Sequence, residues 1–400
     1  MSTFEKFVRV VQPWIFSRRY PHLKVEIEPQ TRALFDELKT IPTIVCPNHC
    51  RHEDGELLFL ISILTRQQFK FLAAREMFNS YFGFGGFVLR QLGCFEVNRG
   101  GENPDTIRAT EHQLTPSGGK VVIFPEGEIG YDNDHLEPLE PGAVAIGLDA
   151  LIRLHHHEYQ GDVLVLPLAL SYQFDHAEKV CSGIILRLES KFALTPMTGS
   201  LHARARRISE AYLTTLEQAL RIDETLSPSG FDERVAKVFQ ISLQKLAELM
   251  GGKLPTGSER HQLHHVQSRI FAKRRKASFF QRSMYKHLEK QTLDLNRLRS
   301  IKSHEFEETS SLDSLADVLR NLDFLITGHQ SSSSQTVVVS AAEPLKMRDY
   351  VDQYRQDRDS TIEKVTEELR SHLQEKLQEM RVSHSLSDFG GNSLTLRNNM

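Results

Sequence analysis

The chain has 400 residues, 40% hydrophobic and 25% charged, with a net charge of −3. That length can bury a full core and more than one lobe, and the composition is that of an ordinary soluble globular protein. The near-neutral balance excludes a global pull toward polyanions, so no nucleic-acid partner is expected and any basic surface must be local.

No apolar run approaches about 18 residues, so no spanning helix is expected. Arg9, Pro13 and Arg18-Arg19 interrupt the N-terminus, leaving no apolar signal core. Cys46, Cys50, Cys94 and Cys181 make neither a disulfide framework nor a C-x-x-C pair. This reads as a protein of the reducing cytoplasm.

In chain order, residues 1–20 predict an amphipathic helix. Phe4, Phe7, Val8, Val11 and Ile15 share a stripe, Trp14 lies near it, and Pro13 interrupts it. Such a helix suits either an interfacial membrane anchor or a face packed on the core. Residues 30–38 predict a short helix that ends at Ile41-Pro42. Thr43 to Cys46 then reads as a buried strand, followed by Asn48-His49-Cys50-Arg51-His52-Glu53-Asp54 and an apolar helix over 54–65.

A histidine and a carboxylate are thus offered at a strand-to-helix corner. Positions i and i+5 on one helix would point about 140° apart. His49 and Asp54 therefore meet only if His49 is in the loop and Asp54 in the first helical turn. Asp54 would then hold one imidazole nitrogen and leave the other free to take a hydroxyl proton.

Phe69 to Ala73 predicts a second strand, 75–81 a short helix, and Cys94 to Val97 a third strand. The glycine- and phenylalanine-rich stretch 82–89 suits an adaptable apolar groove or tight packing beneath the sheet. Asn103-Pro104 opens a helix that ends by Pro116. A fourth strand spans 120–124, and Pro125-Glu126-Gly127-Glu128 turns off its end. A helix over 143–157 follows, then strands over 163–172 and 183–188. This alternation predicts an α/β fold, a mostly parallel central sheet flanked by helices.

From 200 to 330 the pattern is helical, an insertion or additional lobe. Residues 331–383 predict a flexible serine link, a strand at 336–340 that returns to the sheet, and a long charged helix over 348–380. Residues 384–400 read as a disordered tail. The histidines at 155–157, and His261, His264 and His265, lack a completing ligand set, so no metal is expected.

Four stretches stand in order: Asn48-His49…Asp54, Gly93 to Arg99, Phe124 to Glu128 and Leu166 to Leu170. Together they resemble the four motifs of the glycerolipid acyltransferases, which act on glycerol 3-phosphate and lysophosphatidic acid. The resemblance covers roughly residues 20–190 and identifies 21–199 as the acyltransferase domain. It implies attack of an alcohol on the thioester of acyl-coenzyme A or an acyl-carrier protein, a co-substrate, with no bound cofactor. His49 would be the general base and Asp54 its orienting partner. Arg99 would bind the acceptor's phosphate. Asn48, Pro125, Glu126 and Gly127 would shape the acceptor and oxyanion region.

The implied acceptor is 1-acyl-sn-glycerol 3-phosphate, with glycerol 3-phosphate or a neutral acceptor as alternatives. Two departures stand out. Asn98 replaces a usually acidic residue, and Glu128-Ile129-Gly130 replaces the usual Thr-Arg-Ser, removing a second phosphate-binding arginine. Arg51 or Arg75 is a candidate substitute. Cys50 beside His49 admits a nucleophilic reading, but no nucleophile elbow supports a hydrolase. A catalytically silent scaffold is the other class of reading.

Access to lipid would come through residues 4–19 and 269–302. The latter stretch carries eleven lysines and arginines interleaved with Phe271, Phe279, Phe280, Met284 and Tyr285. The expected location is cytoplasmic, peripheral to a membrane.

Overall fold

Alternation along two buried strands divides the core. Ile44, Cys46, Val163 and Val165 contribute to one apolar cluster, and Val45, Leu166, Leu168 and Leu170 to another. Period two sends neighbouring side chains to opposite faces of a sheet, so both faces are covered. The computed structural model describes residues 3–74, 94–97, 104–195, 197–222, 230–329 and 332–389. The expected helix at 75–81, the stretch 82–89, Arg75, Asn98 and Arg99 lie outside the described residues.

The sheet contains β1 (Leu23–Ile27), β2 (Thr43–Pro47), β3 (Phe69–Ala74), β4 (Cys94–Val97) and β5 (Lys120–Val122). Later come β6 (Leu164–Phe174), β7 (Gln335–Ala341) and the short β8 (Leu345–Lys346). The order is β1-β7-β6-β2-β5-β3-β4, with β8 also on β6. All pairs are parallel except those of β6 with β7 and β8. The late strand does return to the sheet, lying between β1 and β6.

Strand β1 is not among the elements expected from the sequence, which pass from the first helix to the one at 30–38. Its five residues are bounded by Pro21 and Pro29, and its partner β7 lies some 300 residues away. The strand expected at 183–188 is a helix over Ala177–Lys191. Cys181, Ile184, Ile185 and Leu188 follow helical spacing and pack with Ile208, Leu213, Leu315 and Leu319. That core belongs to the helical lobe, so the lobe's packing begins near 177.

The first helix, α1 (Thr3–Arg19), runs through Pro13 without a break. Phe16 is buried and Val8 packs against the same cluster, while Arg9 bonds the carbonyls of Ser62 and Gln67 at 3.0 and 2.6 Å. Phe7, Val10 and Trp14 face outward, at least 61% exposed. One face therefore packs on the core, and a different apolar face is open. The helix α2 (Pro29–Glu37) buries Phe35 on the same side as α3 (Asp54–Leu64). On the other side of the sheet lie helices over Gly142–His156 and Arg358–Phe389. The last helix reaches Phe389, so the first six residues of the stretch read as a tail are helical.

Five lobe helices span Leu201–Leu220, Phe231–Leu249, Glu259–Lys276, Phe279–Ser300 and Leu312–Thr327. Ser200, Ser258 and Ser311 cap three of them by accepting the N–H three residues on. Among the described residues, no helix is long and apolar enough to cross a membrane.

Candidate functional site

Strand β2 is buried at every residue and delivers Asn48 and His49 at its C-terminal end. Asn48 continues the ladder with its side chain. Its Oδ1 accepts the Leu170 N–H at 2.7 Å and its Nδ2 donates to the Leu170 carbonyl at 3.0 Å. A side-chain amide mimics a peptide unit here, so the chain can leave the sheet without orphaning Leu170.

Asp54 opens α3 and is fully buried. Its Oδ2 accepts from His49 Nδ1 at 2.9 Å and from the Arg51 N–H at 2.8 Å, and its Oδ1 accepts the Tyr172 hydroxyl. Three donors on one carboxylate offset the cost of burying its charge. The His49 ring stacks on Phe124 with centroids 4.0 Å apart and its side chain is 13% exposed. Loop, first helical turn and pairing follow the geometry that the five-residue spacing required.

The His49 main chain is clamped too. Its N–H donates to Glu126 Oε1 at 2.6 Å, and its carbonyl accepts the Gly130 N–H at 2.7 Å. Glu126 Oε2 accepts the Glu137 N–H at 3.1 Å. Glu126 is thus a bracket between the histidine loop and the loop after β5. Burial pushes its carboxyl up to about 8 despite these donors. A Cβ at Gly130 would stand 3.0 Å from Glu126 Oε2, a tight contact that would press on this carboxylate. Gly127 adopts a left-handed φ of 72°, and its N–H donates to the Phe124 carbonyl at 3.1 Å. The Gly127 N–H is therefore spent within the Phe124–Gly127 turn and does not face an oxyanion.

Arg51, a candidate phosphate ligand from sequence, is buried and already partnered. Its guanidinium pairs with Asp317 at 2.7 Å, bonds Gln335, and lies 3.9 Å from the Tyr172 ring centroid. It ties the histidine loop to the lobe. Cys50 is buried, and burial pushes its thiol well up, which disfavours a thiolate nucleophile.

The helical lobe and the last helix hold the loop of residues 125–140. Arg260 donates to the Pro138 carbonyl at 2.8 Å, and both Arg260 and Arg299 approach Glu137. Asn296 donates to the Ile129 carbonyl at 3.0 Å, and Gln374 to that of Asp134 at 2.7 Å. Glu128, where the family pattern has threonine, is buried with its carboxylate 2.7 Å from His264 Nε2. No periodicity in the sequence signals these pairings across more than 100 residues. Tyr172 was legible in principle, since period two from Leu168 and Leu170 puts it on their face.

Among the described residues, ligand atoms of Asp132, His135 and His304 lie within 4.8 Å of one another. Asp132 Oδ2 is 3.4 Å from His135 Nδ1 and 3.8 Å from His304 Nε2, distances that an ion-paired cluster also explains. The basic stretch 269–302 is divided by the fold. Arg297 and Arg299 turn inward, while Phe279 and Phe280 stand 83% and 89% exposed at the turn between two helices.

The family model described as Acyltransferase matches residues 24–171, which contain every motif residue named above. No curated protein matches the chain.

Proposed function

We propose that this chain transfers a fatty acyl group to 1-acyl-sn-glycerol 3-phosphate, a reading supported by the match of residues 24–171 to the acyltransferase family, which implies an acyl donor and a lipid acceptor. The observation that carries the reading is the His49–Asp54 pair, 2.9 Å apart over a fully buried carboxylate. Asp54 keeps the proton on Nδ1 and leaves Nε2 as the base. Nε2 takes the acceptor's hydroxyl proton as that oxygen attacks the thioester carbonyl. Collapse of the tetrahedral intermediate breaks the C–S bond, and the departing sulfur receives the proton from His49. Asp54 balances the charge that the imidazole carries in between. Such proton transfer contributes roughly 10²–10⁴-fold. The thioester is already activated, so no acyl-enzyme and no cofactor are required. The donor is acyl-coenzyme A or an acyl-carrier protein.

Arg99 is the proposed phosphate ligand, by its match to the second motif. Glycerol 3-phosphate is the alternative acceptor. We place the protein at the cytoplasmic surface of a membrane. Two features support this reading, the outward face of Phe7, Val10 and Trp14 and the Phe279-Phe280 tip. Lys273, Arg275, Lys276, Arg282 and Lys286, all exposed, surround that tip and suit anionic headgroups.

The test supplies radiolabelled acyl-coenzyme A or acyl-carrier protein with each acceptor in liposomes, to wild type and His49→Ala. Labelled phosphatidic acid from wild type alone supports the reading. Labelled lysophosphatidic acid from glycerol 3-phosphate moves the alternative ahead. Liposome binding without transfer from either donor favours a silent scaffold and sinks the catalytic proposal.

A further inference from the structure

Arg297 has no part in the chemistry just described, yet it is 8% exposed and sits against the histidine loop. Its guanidinium lies 4.0 Å from the Phe324 ring centroid and 4.8 Å from that of Tyr131. Tyr131 in turn places its hydroxyl 3.0 Å from His52 Nε2 and directly follows Gly130, which bonds the His49 carbonyl. Neighbouring arginines have carboxylates. Arg299 approaches Glu137, Arg260 approaches Glu137 and Glu140, and Arg51 and Arg320 share Asp317. Among the described residues, no carboxylate pairs with Arg297, whose side chain bonds the Tyr131 hydroxyl instead.

A buried guanidinium with no carboxylate beside it is costly, and ring stacking offsets only part of that cost. The cost is acceptable where a ligand completes the site. Arg297 lines a cleft whose floor is the 50–53 loop and whose far wall carries Arg320 and Asn321. Among its described lining residues, three guanidiniums, those of Arg51, Arg297 and Arg320, meet two carboxylates, Glu53 and Asp317. The described lining of the cleft carries more positive than negative groups, and burial with Arg51 nearby pulls Arg320 down to about 10. Its free space of about 40 Å³ exceeds the ~10–15 Å³ that a single water needs. That is room for a small polar headgroup and none for an acyl chain.

We propose that this cleft is an anion subsite in which Arg297, contributed by the helical lobe, binds a phosphomonoester of a substrate. The inference rests on the acyl-transfer reading for its substrate. It also answers a departure in the sequence, where position 129 is isoleucine and no second arginine follows the Pro-Glu-Gly turn. A planar guanidinium already fixed by two rings loses little freedom on taking a phosphate bidentately. The phosphate belongs either to the acceptor or to coenzyme A, and substrate pairs distinguish them.

Full-length Arg297→Ala and Arg297→Gln are compared with wild type. The glutamine variant retains a planar, hydrogen-bonding side chain should alanine fail to fold. Acceptors are lysophosphatidic acid and monoacylglycerol; donors are acyl-coenzyme A and its 3′-dephospho form. Loss of a charge-assisted bidentate contact predicts a KM raised about 10- to 100-fold for one phosphorylated substrate only, with kcat within about threefold. Which KM rises identifies the source. Unchanged KM values for both phosphorylated substrates overturn the subsite. Calorimetric titration with inorganic phosphate is read independently. Should wild type show no turnover, the acyl-transfer reading fails, and phosphate binding that Arg297→Gln abolishes still establishes the subsite. No phosphate binding by wild type in that case overturns it.

Discussion

Replacing Glu126 by glutamine tests whether this side chain brackets the site. Its two oxygens each accept a backbone N–H, from His49 at 2.6 Å and from Glu137 at 3.1 Å. Glutamine accepts on one side only, so its amide nitrogen would face a second donor. One buried N–H is then stranded, at a cost of about 1–3 kcal/mol. The His49 main chain loses one of its two ties or shifts to keep it. A shift near 1 Å in a catalytic group can cost about 100-fold, so kcat should fall about 10- to 100-fold with the fold intact.

The same group predicts a pH signature. Its carboxyl is raised from 4.5 to about 8 by burial. Below the unfolded value both states hold the proton and its contribution is complete. Between roughly pH 4.5 and 8 the native state alone retains it, so stability falls as pH rises through that window. Glutamine does not titrate, and the stability gap between wild type and Glu126→Gln should narrow toward pH 8. Urea unfolding at pH 5, 6.5 and 8 with steady-state kinetics measures both effects. Equal stability within about 0.5 kcal/mol at pH 5 and kcat within twofold would refute the bracket.

Tyr172→Phe removes one of the three donors on Asp54, and loss of a hydrogen bond to a charge, about 1.5–3 kcal/mol, should lower kcat at least tenfold with acceptor KM unchanged. Arg51→Met leaves Asp317 buried without its closest guanidinium, and urea midpoints should report about 3–5 kcal/mol of destabilisation. Cys50→Ala should retain most of the activity, and iodoacetamide should leave the native thiol unlabelled; loss of all turnover would revive a cysteine nucleophile. Phe279→Ser with Phe280→Ser should change stability by less than about 0.5 kcal/mol, because both rings are exposed, while weakening sedimentation with anionic liposomes about tenfold.

What the sequence made legible follows the range over which each contact acts. The His49–Asp54 pair spans five residues, and a loop followed at once by a helix is the local geometry that lets the two meet. Strands β2, β5 and β6 are apolar runs with clear breaks at their ends, so pattern suffices. Helix Ala177–Lys191 was misread as strand because Ile184-Ile185-Leu186 looks β-like locally; burial of Cys181, Ile184, Ile185 and Leu188 at helical spacing decides otherwise. Strand β1 needed β7, which pattern could find but not pair.

The loop of residues 125–140 is the opposite case. Its motif gives Glu126 and Gly127, but what fixes it comes from Arg260, Asn296, Arg299 and Gln374, whose spacing encodes only ordinary helices. The basic block shows the same limit. Composition made 269–302 one cationic surface, whereas the fold turns Arg297 and Arg299 onto the site loop and leaves the Phe279-Phe280 end outside. A charge count cannot separate these roles, because a buried arginine and an exposed one are the same letter. The distinction lies in which helical face meets the loop after β5, and hence in the lobe's packing.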